Sequence, residues 1–517
     1  MANSHEFKKS KLRKILKKAK NKTLGQVDSK HVFNRTIDKP KITGIAGDVI
    51  EQSVLGYPPD HDQRPDLLVD GILYELKTTG IREGKRSREM EAKEPVTITA
   101  VSIDSIAKEN FEESYFWHKA EHILFVFYHY DSTSTVKAAE YAKFYIRQFD
   151  FYDFSDDTKA ILESDWKKVH DFIADIQNKY NDEEAKKYYS KLSSEINKQL
   201  VYLDTAPKYP NPPRFRFRRR FVTKLYQEKF GTKLESLPDT YHAYSEVYEK
   251  CHDLTTKYSG WTFKDLCKEF EIDIEGKTTR QLKSYAERIV VEMFRRKENE
   301  LSEKGKANKL SKIDLFVNFG LIGKTIAITS SGKRTEDMKL ISVNFNEIEQ
   351  KLFYECTNEE NNERTTEDIY EDESSLYSYL HDHKLLCIIF EEQPHGSKET
   401  ADLRTNKFKG FKVLDLDSQD IMESAENSWN SVNTLLNTNG LQSNIVYTKE
   451  GKPRINKNGL VMEKTNLPKS RKSLVFLRGT GRDSSDKYDY KGVKIYRHNF
   501  WIKGSYIAEQ LEKTEYL

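Results

Sequence analysis

Four cysteines in 517 residues are few, and they lie far apart. Cys251, Cys267, Cys356 and Cys387 form no C-x-x-C pair. That excludes a cysteine zinc site and a disulfide framework, and it points to a reducing cytoplasm. Long apolar runs are also missing. No stretch approaches the ~20 residues of a membrane-spanning helix, and no apolar segment of signal-peptide type follows the N-terminal charges. Nor does charge of one sign dominate, since 85 basic and 82 acidic residues leave a net +3, so the total says little about partners. Only 37% of residues are hydrophobic and 32% are charged, yet 12% are aromatic, which argues for a folded chain over disorder. At this length one core does not suffice, and two or more domains are expected.

The charge is unevenly placed. KKSKLRKILKKAKNK near the start and RFRFRRRF from Arg214 are basic, whereas NEENNERTTEDIYEDESS from Asn358 reads as an acidic exposed loop. Residues 5–20 read as a basic helix with Leu12, Ile15 and Leu16 between lysines, and IAGDVIEQSVLG as a short helix closed by Gly56. PVTITAVSI and HILFVFYHY are strand-like, and the rhythm from Asp156 to about Leu200 is helical. RFRFRRRFVTKLY alternates basic with aromatic residues, the period of a strand with one wet face. His118, His122 and His129 make no metal motif, and GLIGKT is no phosphate loop because Asn318 stands where glycine is required.

The chemistry concentrates in PDLLVDGILYELKTTG, from Pro65 to Gly80. Asp70-Gly71 predicts a two-residue hairpin turn with positive φ at both positions. That turn pairs Val69 with Ile72, Leu68 with Leu73, Leu67 with Tyr74 and Asp66 with Glu75. Glu75 and Lys77 then share one face, and Asp66 and Glu75 oppose each other at about 5 Å between Cβ atoms. Two like charges there need a cation between them, which Lys77 and a divalent metal can supply. Two carboxylates and a phosphate oxygen make a hard, all-oxygen site suited to Mg²⁺ and phosphodiester cleavage. The tripeptide E-x-K alone is weak, for it recurs at Glu83, Glu91, Glu184 and Glu450, where an ordinary ion pair explains it. Asp70 is the rival acid, but its turn position accounts for it.

The order GDVIEQSVLG, PD…YELKTT, PVTITAVS, YFWHKAEHILFVFY resembles the catalytic domain of the MutH family of GATC-specific DNA endonucleases, within the PD-(D/E)XK nuclease superfamily. The resemblance covers residues 40–130 well and extends loosely to about 225. It implies catalytic roles for Glu51, Asp66, Glu75, Lys77 and Lys119, with Glu51, Asp66 and Glu75 on the metal. The Asp-to-Glu spacing is slightly longer than the family's, and the pairing argument is the reason for keeping Asp66. In the family a loop after the helical region reads sequence; YLDTAPKYP resembles it, so Lys208 is the candidate base contact, with a solvated loop lysine as the alternative. Arg214, Arg216, Arg218, Arg219 and Arg220 are candidates for phosphate contacts, while Phe215, Phe217 and Phe221 read as core.

The second half repeats the first in order. IDLFVNFGLIGKTIAITSSG parallels the hairpin with Asp314 at the place of Asp66, DMKLISVNF parallels PVTITAVSI, LLCIIF parallels HILFVF, and GVKIYRHNFWIKGSYIAEQ echoes RFRRRFVTKLYQE. Laying the two hairpins together puts Ala327 at the place of Glu75 and Thr329 at that of Lys77, so the second copy is expected to be catalytically dead. Its basic-aromatic tract, Arg478, Arg482, Lys494, Arg497 and Lys503, suits an accessory DNA surface; a purely structural domain is the alternative. The expected architecture is α/β, a mixed sheet flanked by helices, in two tandem MutH-type domains. Residues 1–230 form the catalytic domain, 231–241 a linker and 242–517 the second domain. The expected activity is that of a bacterial, cytoplasmic type II restriction endonuclease. It would cut duplex DNA 5′ of the G in GATC with Mg²⁺, self-associate on DNA, pair with a DNA methyltransferase and involve no membrane. A mismatch-repair nickase and a non-catalytic DNA-binding protein are the alternatives.

Overall fold

A computed structural model of the chain describes residues 5–40, 42–58, 64–84, 89–132, 136–296, 307–329, 336–349, 370, 374–393, 402–455, 459–481 and 486–517. Cys356, Lys85, Arg482 and most of the acidic stretch from Asn358 lie outside those residues. The chain divides into two compact units: the first comprises 1–132, 136–249 and 295–320, the second 133–135, 250–294 and 321–517. Among the described residues no helix is long and apolar enough to cross a membrane.

The first unit is built on a mixed sheet. Strands β1 (Glu6–Phe7), β2 (Leu67–Val69), β3 (Ile72–Glu83), β6 (His122–His129) and β7 (Tyr145–Asp153) lie in the order β1-β2-β3-β6-β7, with β4 (Met90–Ala92) also on β3. A second sheet has β9 (Arg214–Phe217) between β5 (Val96–Ala100) and β8 (Leu203–Ala206). Helix α1 (Lys9–Ala19) buries Leu12, Leu16 and Ala19 at helical spacing against the large sheet. Full burial of each leucine stabilises the packing by about 1.5–3 kcal/mol. Lys17 and Lys18 sit in its last turn, where cations suit the helix dipole. Helix α2 (Ile45–Val49) runs on into a π-helical turn, Ile50–Leu55, closed by Gly56 at φ 84°. Short helix α3 (Tyr115–Ala120) leads into β6. Helix α4 (Asp156–Lys179) starts at Ser155, whose hydroxyl accepts from Thr158 N, and it buries Leu162, Asp165, Trp166, Val169 and Ile173. The arginine tract, expected as one strand, ends as β9 at Phe217; helix α5 (Arg219–Phe230) begins two residues later. Phe215, Phe217 and Phe221 are buried, as expected.

The second unit repeats this plan. Strand β10 (Leu321–Ile328) is parallel to β12 (Lys384–Glu391), which is antiparallel to β13 (Lys407–Asp415). A second sheet places β15 (Arg497–Ile502) between β11 (Met338–Ser342) and β14 (Val475–Thr480). Helix α6 (Tyr285–Arg295) precedes β10 in sequence, α7 (Ser375–His381) precedes β12, α8 (Gln419–Asn437) follows β13 and α9 (Gly504–Lys513) follows β15. The correspondence reaches single residues. His122 pairs with Asp153 at one end of β6–β7, and Lys384 with Asp415 at the same end of β12–β13. Both ladders then slip at the same point, between Phe127 and Tyr128 in one and between Ile389 and Phe390 in the other. Buried Trp166 and Trp429 occupy matching turns of α4 and α8.

This register corrects the expected alignment of the second copy. Glu75 pairs with Ile123 and Lys77 with Phe125; on the matching residues of β12, Ile322 pairs with Leu385 and Lys324 with Cys387. Ile322 therefore stands where Glu75 does, and Lys324 where Lys77 does, in place of Ala327 and Thr329. Asp314 lies in the first turn of a short helix, Asp314–Asn318, where it accepts from Ser236 Oγ at 2.6 Å and from its neighbour Leu315 N. The cause is local: this stretch lacks the Asp-Gly turn and folds back as a helical turn before its strand.

Candidate active site

The predicted hairpin forms in the predicted register. Leu67 pairs with Tyr74, Leu68 with Leu73 and Val69 with Ile72, and Asp70 and Gly71 have φ of 48° and 87°. Asp70 also accepts from Lys9 N at 3.1 Å, in keeping with a turn role. Tyr74 and Leu76 join the core beneath α1 and α2, which directs Glu75 and Lys77 to the other face.

Glu75 is the centre of the site. It is 2% exposed, and its Oε1 accepts from Lys77 Nζ at 2.7 Å. Lys119 Nζ, brought by α3, lies 3.4 Å from both carboxylate oxygens. An isolated buried carboxylate costs several kcal/mol, and two ammonium groups offset that cost. Asp66, just ahead of β2, accepts from Leu76 N at 2.8 Å, and its own carbonyl meets His5 Nδ1 at 2.8 Å. Glu51 lies on the π-helical turn, where its carbonyl accepts from both Gly56 N and Tyr57 N.

Electrostatics place the three carboxylates in one neighbourhood. Burial pushes Glu51 up to about 7, with the Asp66 and Asp48 charges adding to the rise and Lys77 opposing it. Burial and the Glu75 charge push Asp66 up to about 6, against the Leu76 amide, Lys77 and Lys119. Their mutual repulsion is what a bound cation relieves. Glu75 Oε2 is buried with no hydrogen bond of its own, a lone pair available to a ligand. Among the described residues, no three His, Cys, Asp or Glu side chains close into a ready-made metal cage. The donors are nevertheless all oxygen, crowded and anionic, which fits a hard divalent ion.

The remaining candidates separate by burial. Lys208 is exposed in the loop between β8 and β9, and Arg214 is exposed at the start of β9. Arg216 is paired with Asp204 at 2.7 Å, and Arg219 lies 3.7 Å from Glu91. Arg220 donates to Val201 O at 2.6 Å. Arg218 is 4% exposed and donates to the carbonyls of Leu203 and Asn197, so its charge is spent inside the fold. In the second unit Arg478 is exposed, pairs with Asp337 and lies over the rings of Phe476 and Trp501. Lys494 and Arg497 are exposed, and Lys503 is half-buried at the start of α9.

Sequence reasoning missed the scaffold behind the Lys208 loop. Asp165, fully buried in α4, accepts from Val201 N, Tyr202 N and Leu203 N at 2.6–3.0 Å. Burial raises its pKa, while Lys168 and those three amides pull it down. Asn197 clasps Thr205 through both its amide atoms. The signal was present: an aspartate next to Trp166 on the apolar stripe of an amphipathic helix.

Comparison with known proteins agrees with this picture. Residues 55–165 match the family model described as DNA mismatch repair enzyme MutH, a match that takes in the hairpin, β6, β7 and the start of α4, and the resemblance read from the residues is borne out. The chain as a whole is 22% identical over 506 residues, 90% of its own length and 92% of the relative's, to the type II restriction enzyme Sau3AI of Staphylococcus aureus.

Proposed function

We propose that the chain is a type II site-specific deoxyribonuclease that cleaves duplex DNA, with its chemistry in the first unit alone. One observation carries the reading: buried Glu75 is held by Lys77 and Lys119 beside Asp66, all within the segment that matches the MutH family model, with Glu51 just ahead of that segment. The relative named as a type II restriction enzyme favours this over a mismatch-repair nickase, because the similarity runs through both units. The family resemblance adds GATC as the target and the 5′ side of the G as the cut.

Asp66, Glu75 and Glu51 would hold Mg²⁺. When bound, the ion supplies Lewis-acid charge to the scissile phosphate. The protein's own groups do the rest. Lys77, fixed on Glu75, orients the attacking water and offsets negative charge developing on phosphorus. Lys119 meets the same phosphate from α3. Lys208 and Arg214, both exposed, are placed to meet base edges and backbone, whereas Arg218 serves the fold. The second unit is an accessory DNA-binding module, because Ile322 at the place of Glu75 removes a required acid. One active site per chain cuts one strand, so a double-strand break calls for two chains on DNA or two successive nicks. A partner methyltransferase would protect host sites.

Digestion of a supercoiled plasmid with mapped GATC positions, with Mg²⁺ and with chelator, tests this reading. Fragments ending 5′ of each G, formed only with Mg²⁺, are expected. Nicked circles alone would favour the nickase, and an uncut plasmid under all ionic conditions would end the proposal.

A further inference from the structure

The second unit carries an elaboration that the first lacks. After α8 the chain leaves the core at Leu441 and returns to it at Leu467, and among the described residues between them none is buried. Ser443–Ile445 pairs antiparallel with Glu463–Thr465 as a stem. Beyond the stem, strands meet around a ring of main-chain bonds. Val446 N donates to Met462 O at 2.8 Å, while Met462 N donates to Arg454 O and Arg454 N to Val446 O, both at 2.7 Å. Two short ribbons leave that junction. One pairs Tyr447 with Pro453 and has Gly451 at φ 76°; the other pairs Ile455 with Val461 and has Gly459 at φ 78°. The result is a two-fingered fork, held by its own backbone rather than by a core.

Its side chains are unusual for a surface. Ile445, Tyr447, Ile455 and Val461 are 42–57% exposed, and none of them joins the core of the unit. Lys449, Lys452, Arg454 and Lys464 stand exposed between them, and none makes an ion pair among the described residues. From Ser443 to Lys472 the sequence holds eight basic residues against two acidic ones, in a chain that is nearly neutral as a whole. One of those acids, Glu463, is paired with Lys487. A single exposed apolar side chain is ordinary, but four on one fork, fenced by unpaired cations, make a surface for a partner.

Charge and shape choose the partner. Lysine is depleted from interfaces between proteins, whereas unpaired cations suit a polyanion. A two-stranded ribbon is a width that the major groove of DNA admits, with Lys and Arg on phosphates and apolar side chains on thymine methyls. Position agrees with this. In the first unit the stretch between α4 and β8 lies beside the Lys208 loop, with the Tyr189 and Tyr209 rings 5.4 Å apart. The fork fills the same interval of the repeat, between α8 and β14, and Glu463 ties it to Lys487 in the loop that corresponds to that of Lys208.

We infer that the fork, residues 443–465, grips duplex DNA, with Lys449, Lys452 and Arg454 on backbone phosphates and Tyr447 and Ile455 against the groove. This rests on the reading of the second unit as a DNA-binding module, and it names the element that holds the duplex.

The test uses the full chain carrying Glu75→Ala, so that no DNA is cut, and follows a short fluorescein-labelled duplex by anisotropy over a range of salt. Replacing Lys449, Lys452 and Arg454 together by Ala should weaken a binding step at least about tenfold and lower its salt slope by about 2.7, since each ammonium or guanidinium on a phosphate contributes about 0.9. Tyr447→Ser should weaken the same step severalfold with the slope unchanged. Lys449→Arg with Lys452→Arg should bind like the parent. Unaltered binding in the triple variant, with a loss in Lys494→Ala/Arg497→Ala, would overturn the inference and leave the accessory module standing. Unaltered binding in both sets would overturn the module as well. Sedimentation velocity of the same variants adds a last outcome: self-association lost in the triple variant while DNA binding holds would give the fork to a second copy of the chain and overturn the inference.

Discussion

The two units share a ladder but not the acidic cluster around Glu75, and on the proposed reading the contrast separates residues that serve the fold from residues that serve the reaction. Both place a parallel strand pair, an antiparallel neighbour and a three-stranded second sheet in the same order, with the same slip. Where the fold makes the demand, the residues match in kind: Trp166 and Trp429 are both buried, and Asp153 and Asp415 each pair with the residue at the head of the facing strand, His122 and Lys384. Around Glu75 they diverge. Ile322 stands at the place of Glu75 and His381 at that of Lys119, whereas Lys77 keeps its counterpart in Lys324.

The contrast is broken most directly at the carboxylate. Glu75→Gln should lower the cleavage rate by on the order of 10³-fold, while Ile322→Val in the second unit leaves it unchanged; single-turnover rates on one plasmid compare the two. A matching loss in both variants would mean that the units act as one site.

The next largest difference lies in the helix behind each second sheet. Asp165 takes three backbone amides at the start of β8, whereas Ser428, one residue before Trp429 as Asp165 is before Trp166, donates to Val475 O at 2.5 Å. Asp165→Ala leaves three buried N–H groups unmet and should cost roughly 3–5 kcal/mol. Ser428→Ala should cost about 1 kcal/mol. Urea unfolding followed by tryptophan fluorescence measures both.

Metal and pH sharpen the comparison further. Glu51 and Asp66, raised to about 7 and about 6, hold protons more tightly folded than unfolded. Their contribution to stability is therefore present at low pH and is lost as pH rises through 6 to 7 in the metal-free protein. A cation must displace those protons, so Mg²⁺ affinity should climb across the same window. Calorimetry at pH 5.5 and pH 8 should show a Mg²⁺-dependent rise in Tm of a few degrees only at the higher pH. A rise at neither pH would remove the metal site.

The smallest effect concerns two cations near one loop. Lys208→Ala should weaken DNA binding by about tenfold with Tm unchanged, because the side chain is exposed. Arg218→Ala should lower Tm instead, since its guanidinium holds the carbonyls of Leu203 and Asn197. Anisotropy and thermal melting on the same pair of variants divide readout from support.

Much of the first unit was legible in the sequence because its signals are local. Asp70-Gly71 specifies its turn, the turn specifies register, and register places Glu75, Lys77 and Asp66. The second unit was read five residues out of step. Without that turn, IDLFVNF forms a helical turn rather than a strand, and only pairing with β12 reveals the count. The arginine tract misled for a related reason. Alternation of letters extends beyond Phe217, but the backbone turns helical at Arg219, and which guanidinium faces solvent depends on partners from distant segments such as Asn197 and Asp204.

The slip shared by β6–β7 and β12–β13 has a practical reach. It acts as a ruler carved into both sheets, fixed by main-chain geometry and indifferent to what the side chains have become. Anyone transplanting a lost function from one lobe to the other should measure from that notch: the graft belongs at Ile322, where the ruler points, and a carboxylate installed at Ala327 would land on the far side of the strand.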